Sequence, residues 1–454
     1  MNPQVAQAPG EAKPDASRPP QSLRYAWYVV TVLMLVYTLS FVDRQILSLM
    51  VKPIQADLHV SDTQVGLLQG LAFALFYTLL GLPLGVVADT MNRRNLVVGG
   101  VTLWSFFTAA CAAAKSFGSL FLTRIGVGVG EATLGPAAYS MIADYFPKER
   151  LGLAMSIYYM GNLLGSGLAQ IVGGMTVDKV MRTKEVTLPI LGVMASWRTT
   201  FLIVGAPGLF FALLLLTVRE PSRRHLKALI VPERFNFSVS IAAVRDRWQT
   251  VAGISVGMIF QAACNYGFMA WAPTFFQRMH GWSAGQAGRA LGFTVIIWGL
   301  SGMYFGGWYS DRWYRRGTCE APLRMALPSA LGIGLFIGLA MIMKDPYWTL
   351  ALIGPGIFFM AVPMGVVPGA LQLIFPNQLR GQITALFLFV LNLGALTIGP
   401  LLPGVLNDYV FKDKMMVGYS IAVTTVISAL LMFAILWATI KPYQRDHKLA
   451  HPDF

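Results

Sequence analysis

Twelve apolar windows of roughly twenty or more residues, each bounded by charges, Gly or Pro, recur along the 454-residue chain. A hydrocarbon layer about 30 Å thick needs about 20 residues to cross as a helix, and lipid offers no partner for a bare N–H or C=O. Windows of this length therefore point to spanning helices, and 55% hydrophobic with 12% charged residues agrees. They lie near 25–51, 64–88, 95–114, 118–142, 151–176, 196–218, 249–276, 286–310, 322–343, 347–373, 380–406 and 416–440. The expected fold is an all-α integral membrane protein of twelve transmembrane helices in two pseudo-symmetric six-helix bundles, 25–218 and 249–440.

Residues 219–248 form the longest hydrophilic interruption and read as a linker, whose basic run Arg223 to Lys227 suits anionic headgroups or plain solvation. Residues 1–24, rich in Pro, Ala and Gln, and 441–454 read as tails; the first has no apolar core of the kind a cleaved signal needs. Basic residues divide 22 to 11 in favour of the side carrying both termini and the linker, leaving Arg44 and Arg124 inside the spans. That bias places both termini in the cytoplasm. It also explains the net charge of +14 without nucleic acid.

After the second window comes GVVADTMNRRN (Gly85 to Asn95), and after the eighth GWYSDRWYRRG (Gly307 to Gly317). Gly85, Asp89, Arg93 and Arg94 recur as Gly307, Asp311, Arg315 and Arg316, always 222 residues on, with Arg312 an added basic residue within the second copy. A weaker echo places Arg150 and Arg380 at the starts of spans five and eleven. Such duplication suits two bundles that rock about a central site. Gly permits close helix contact, Asp accepts from free N–H groups at a helix start, and Arg binds carboxylates or headgroups. Together they would form a cytoplasmic gate that favours the outward-open state. Anchoring by positive charge alone would need only the arginines.

The two loops resemble the signature between helices 2 and 3 of the major facilitator superfamily and its repeat between helices 8 and 9. The first copy departs from it at Thr90, where a basic residue is usual, and Asn92, where Gly is usual.

Away from the span ends, the charged residues are Asp43, Arg44, Arg124 and Glu131, all in the first and fourth spans. Charges at such depth are costly and face a cavity or one another. Asp43 and Arg44 are adjacent and project about 100° apart, so they serve different partners. Arg124 and Glu131 share a face about 10 Å apart along the axis, too far for a direct pair. The four could merely bind two helices together as an ion-pair network. As a site, Asp43 is the first candidate to carry a proton and Glu131 the second, with Arg44 and Arg124 holding an anion or balancing the carboxylates. Tyr158 and Asn162 on the fifth span, and Gln261 and Asn265 on the seventh, are the candidate polar lining.

FVDRQ in the first span, RIGVGVGEATLGPAAYSMIADYFPKER through the fourth, and SIYYMGNLLGSG in the fifth resemble the Spinster branch of that superfamily. The resemblance implies proton-linked transport of lysolipids or sphingoid phosphates, with Asp43, Arg44, Arg124 and Glu131 at the functional core. A bacterial inner (plasma) membrane is the expected location, with a monomer, an amphipathic small molecule, protons and the bilayer as the partners. Organic-anion or drug transport is the second expectation, and a membrane-embedded enzyme or sensor the third; no cofactor or metal is expected. The five histidines, including His447, read as loop or tail residues unsuited to a buried metal site, and no P-loop motif is present to draw on ATP. Pro363 and Pro368 mark the tenth span for either a flexible gate or tolerated kinks.

Overall fold

The computed structural model describes residues 22–182, 185–188, 192–221 and 237–451. Within them are twelve helical rods: α1 (Leu23–Leu49), α2 (Asp62–Gln69, continued by Leu71–Thr90), α3 (Arg93–Ala110), α4 (Phe117–Glu131, continued by Leu134–Tyr145), α5 (Lys148–Met181), α6 (Ser196–Leu216), α7 (Trp248–Met279), α8 (Ala284–Tyr314), α9 (Ala321–Ala340), α10 (Pro346–Leu373), α11 (Asn377–Val405) and α12 (Val417–Ala450). Among the described residues ten are long and apolar enough to cross a membrane by themselves. The other two rods are α4, which is interrupted, and α5, which is 34 residues long but rich in glycine and polar residues. The face where α1 begins and α12 ends is called terminal below, and the opposite face distal.

Proline explains two departures from the expected spans. The first was expected to run to 51 and stops at Leu49, with a separate short helix Val51–Leu58. Pro53 lacks an N–H for the Leu49 carbonyl and its ring crowds that carbonyl. The fourth was expected to be continuous and breaks at Ala132 and Thr133, where Pro136 acts on Ala132 in the same way. The Thr133 hydroxyl donates to the Gly130 carbonyl at 2.9 Å and satisfies one group that the break frees. This break falls next to Glu131, so the intramembrane charge sits at a helix end.

Two further differences concern the ends of the bundle. A small antiparallel hairpin, Glu185–Leu188 with Gly192–Ala195, joins α5 to α6, where apolar windows give no strand signal. The supposed tail after residue 440 is helix as far as Ala450, with Tyr443, Asp446 and His447 buried. His447 is thus a packed residue whose ring meets the Tyr314 hydroxyl at 3.1 Å, and not a tail residue. Lys441 and the unbroken polar run Gln444 to Lys448 lie there, so a hydropathy window stops short. The linker run Arg223 to Lys227 and residues 1–21 lie outside the described residues.

Glycines set the close approach of α3 and α4. A Cβ on Gly100 would stand 1.9 Å from Thr133 Oγ1, and one on Gly130 2.6 Å from the Trp104 nitrogen, while one on Gly99 would meet open space. Gly100→Ala and Gly130→Ala should each cost about 1–3 kcal/mol and lower the melting temperature in detergent. Gly99→Ala should gain up to about 1 kcal/mol. Thermal unfolding followed by tryptophan fluorescence checks the ranking.

Candidate functional site

Arg44 of α1 and Glu131 of α4 meet. Arg44 Nε and NH2 each lie 2.6 Å from Glu131 Oε2, and the carboxylate is buried. Three rings surround the same guanidinium, with centroids 4.9 Å (Phe41), 4.3 Å (Phe73) and 4.7 Å (Tyr77) away. A desolvated cation over an aromatic face gains about 2 kcal/mol, which helps offset the loss of water. Guanidinium suits this double role, because it stacks through its face and donates from its edge.

Asp43 points elsewhere, as adjacent residues on a helix must. Its carboxylate is fully buried; Trp104 of α3 is directed at it, but neither group completes a hydrogen bond of normal geometry among the described residues. Arg124 of α4 donates from NH1 to the Asp43 main-chain carbonyl at 3.0 Å and is close enough to act electrostatically on both carboxylates. The four charges therefore form one cluster in which Arg44 is committed to Glu131, while Arg124 is shared between Asp43 and Glu131.

A cavity of about 40 Å³ opens beside the cluster. That admits water and not an organic substrate. Its first-half wall is Phe41, Arg44, Gln45, Gln69, Phe73 and Arg124; its second-half wall is Tyr266, Ala270, Leu396 and Pro400. Charge is thus supplied from one bundle only. Of the candidate lining, Tyr158 is buried and stacks on Tyr37 at 4.8 Å with its hydroxyl unpaired among the described residues, and Asn162, one turn on, is half-buried. Gln261 and Asn265 tie α7 to α10, Gln261 donating to the Met360 carbonyl at 2.7 Å and Asn265 reaching Met364 Sδ at 3.5 Å. They are spent on packing beside Pro363, in a helix that stays continuous through Pro355, Pro363 and Pro368.

The duplicated terminal-face loops differ from each other. Arg93 is buried and turned into its own half, donating to Asp144 (2.5 Å), Ser140 (2.7 Å), Glu220 (2.7 Å) and the Pro221 carbonyl (3.2 Å). The Arg94 main-chain nitrogen donates to Glu220 at 3.0 Å. In the second copy Asp311, Arg312, Arg315 and Arg316 are exposed. Arg150 is exposed too, and Arg380 donates to the Phe375 carbonyl at 3.0 Å. Gly85 and Gly307 make no close helix contact, with only Pro136 at 4.0 Å from a Cβ built on Gly85. The side chain of Asp89 lies outside the described residues.

By contrast, bonds that join the halves gather on the distal face. Arg278 of α7 donates to both oxygens of Asp62 at 2.7 and 2.8 Å, and Asn407 donates to Asp62 at 2.8 Å. The molecule is therefore sealed distally, with the terminal-face arginines of the second half facing solvent. Asp62 sits at a span edge, Asp144 and Glu220 at loop ends, and none of them is a charge at mid-depth of an apolar window. The aromatic surround of Arg44 is missed for another reason: Phe73 and Tyr77 are ordinary apolar-helix residues until the fold brings α2 to α1.

Twelve helices in two bundles around an intramembrane charge cluster define a secondary transporter fold. Residues 33–397 match the family model described as Major Facilitator Superfamily, and the chain belongs to that superfamily. An MFS-type efflux pump of Mycolicibacterium smegmatis is 27% identical over 442 residues, 93% of this chain and 94% of that protein. Protein spinster of Drosophila melanogaster is 24% identical over 400 residues, 86% of this chain and 63% of that one, so Spinster proteins are among its homologues. A solved bacterial homologue of the human lysosomal transporter Spinster, inward-facing and unoccupied, superposes with a TM-score of 0.79 at 25% identity, covering 94% of this chain and 99% of its own. The protein is a multi-pass membrane transporter.

Arg93→Ala removes the buried cation that pairs with both Asp144 and Glu220 and should destabilise by about 3–5 kcal/mol. Arg316→Ala, in the exposed copy, should stay within about 0.5 kcal/mol. Melting temperatures of the two variants in one detergent check the contrast.

Proposed function

We propose that the protein is a proton-coupled secondary transporter of an amphipathic, anionic, lipid-like substrate of the lysolipid or sphingoid phosphate class, working by alternating access with both termini in the cytoplasm. The observation that carries this reading is Arg44, held by Glu131 within a ring of aromatic faces beside Asp43, whose own carboxylate has no ion pair among the described residues. An anionic headgroup that takes Arg44 leaves the buried Glu131 carboxylate with only Arg124, which it shares with Asp43. Such a group is stable only once a proton neutralises it. Headgroup binding to Arg44 and protonation of Glu131 thereby favour each other. Asp43 offers a second proton site, because a proton and Arg124 compete to neutralise it. The second-half wall is apolar apart from Tyr266 and suits a hydrocarbon tail. The 22 to 11 division of basic residues supports cytoplasmic termini.

The full-length similarity to an efflux pump favours a second reading, transport of organic anions or drugs through the same proton site. Thermal stabilisation by lysolipids, sugar acids and cationic drugs, tested side by side, separates the two readings. The proposed reading expects the largest shift with lysolipid.

Asp43→Asn should fold normally and lose pH-gradient-driven uptake of labelled lysolipid by at least about tenfold in proteoliposomes. Undiminished uptake would remove Asp43 from the proton path. Arg44→Lys keeps the charge but loses the stacked, two-nitrogen contact, so uptake should fall although the cation remains.

A further inference from the structure

The halves cross twice on the distal face, α2 against α11 and α5 against α8, and the two crossings are built alike. α2 starts at a capping box made by Ser61 and Gln64; α8 starts at one made by Ser283 and Gln286. Gly66 and Gly70 then correspond to Gly288 and Gly292, and all four pairs stand 222 residues apart, the offset of the terminal-face loops. The opposing helices repeat too. Gly174 and Asp178 on α5 correspond, 230 residues on, to Gly404 at the end of α11 and Asp408 in the π-helical turn that follows it.

The geometry repeats with the sequence. A Cβ on Gly66 would lie 2.6 Å from the Pro400 carbonyl oxygen and one on Gly288 2.1 Å from that of Gln170, while Cβ atoms on Gly404 and Gly174 would lie 2.4 Å and 2.7 Å from the carbonyl oxygens of Asp62 and Ala284. Backbone meets backbone, and no side chain fits between. Each crossing is then closed by a carboxylate from the other half. Asp408 accepts from the Asp62 and Thr63 nitrogens at 3.3 and 2.6 Å; Asp178 accepts from the Gly285 nitrogen at 2.8 Å and the Ser283 hydroxyl at 2.7 Å. These N–H groups open a helix, have no partner within it, and lie at the positive end of its dipole.

We infer that Asp178 and Asp408 are paired gating residues, each capping a helix of the opposite bundle to hold the distal face shut while the terminal face is open. The two caps cross the surface along which the bundles must part, so every outward opening breaks both. The first crossing is reinforced, because Asp62 also binds Arg278 and Asn407, whereas its counterpart in the repeat is Ala284. The terminal-face loops and this distal pair would then be two latches, one for each end state. This inference rests on the alternating-access reading, so its test measures conformation and not flux.

Spin labels at Lys115→Cys and Lys344→Cys, exposed distal-face positions in opposite halves, report the opening in reconstituted protein by pulsed dipolar spectroscopy; Cys111, Cys264 and Cys319 are buried. Asp178→Asn with Asp408→Asn should raise the ratio of long to short distances about tenfold. Each single variant should raise it by less, and the single variants stand in if the pair fails to fold. Gly66→Trp, a wedge in the first crossing, is the control for alternating access. Unchanged distances in the Asp variants, with a long distance in the wedge variant, would overturn the latch and leave alternating access standing. One short distance in every folded variant would overturn both.

Discussion

A guanidinium at mid-membrane depth cannot be left alone, and Arg44 is answered by the Glu131 carboxylate at 2.6 Å and by three aromatic faces. Meeting that demand fixes much of the first bundle. α4 must present Glu131 to α1, and it does so at the break imposed by Pro136. α2 must come close enough to bring Phe73 and Tyr77 to α1, and Gly128 permits this, since a Cβ there would lie 2.6 Å from the Phe73 carbonyl oxygen. A pair of this kind contributes little net stability compared with apolar packing, yet removing one partner is severe. It is therefore well placed to be exchanged, one anion for another, and badly placed to be a mere brace.

The two bundles share an architecture but not a chemistry. Asp43, Arg44, Arg124 and Glu131 all belong to the first, and the cavity wall from the second is Tyr266 with apolar neighbours. The terminal-face loops diverge in the same sense: Arg93 is locked to Asp144 and Glu220, while Arg315 and Arg316 face solvent. Duplication supplied the frame, and the candidate site draws its charges from one copy of it.

The sequence showed the frame well because its signals are local. Apolar length and the 222-residue loop repeat need no tertiary knowledge, and neither does the rule that neighbours Asp43 and Arg44 diverge. The direct pairing of Arg44 with Glu131 was one of several open choices, since only the fold decides which helix faces which. The break in α4 was readable from Pro136 but was hidden by the apolar run around it. Helical extension through His447 escaped because windows weigh hydropathy and not packing. The distal crossings were also present in the sequence, as Ser61, Gln64, Gly66 and Gly70 repeated at Ser283, Gln286, Gly288 and Gly292. They carry little charge, and a search guided by charge does not stop there.

The central claim is that a buried charge set is shared between an anionic amphiphile and protons. Proteoliposomes holding a pH-sensitive dye, with no gradient imposed and lysolipid added outside, test it most directly. Proton coupling predicts a change of internal pH that tracks lysolipid movement and is abolished by Asp43→Asn. Lysolipid movement with no accompanying change of internal pH would contradict it.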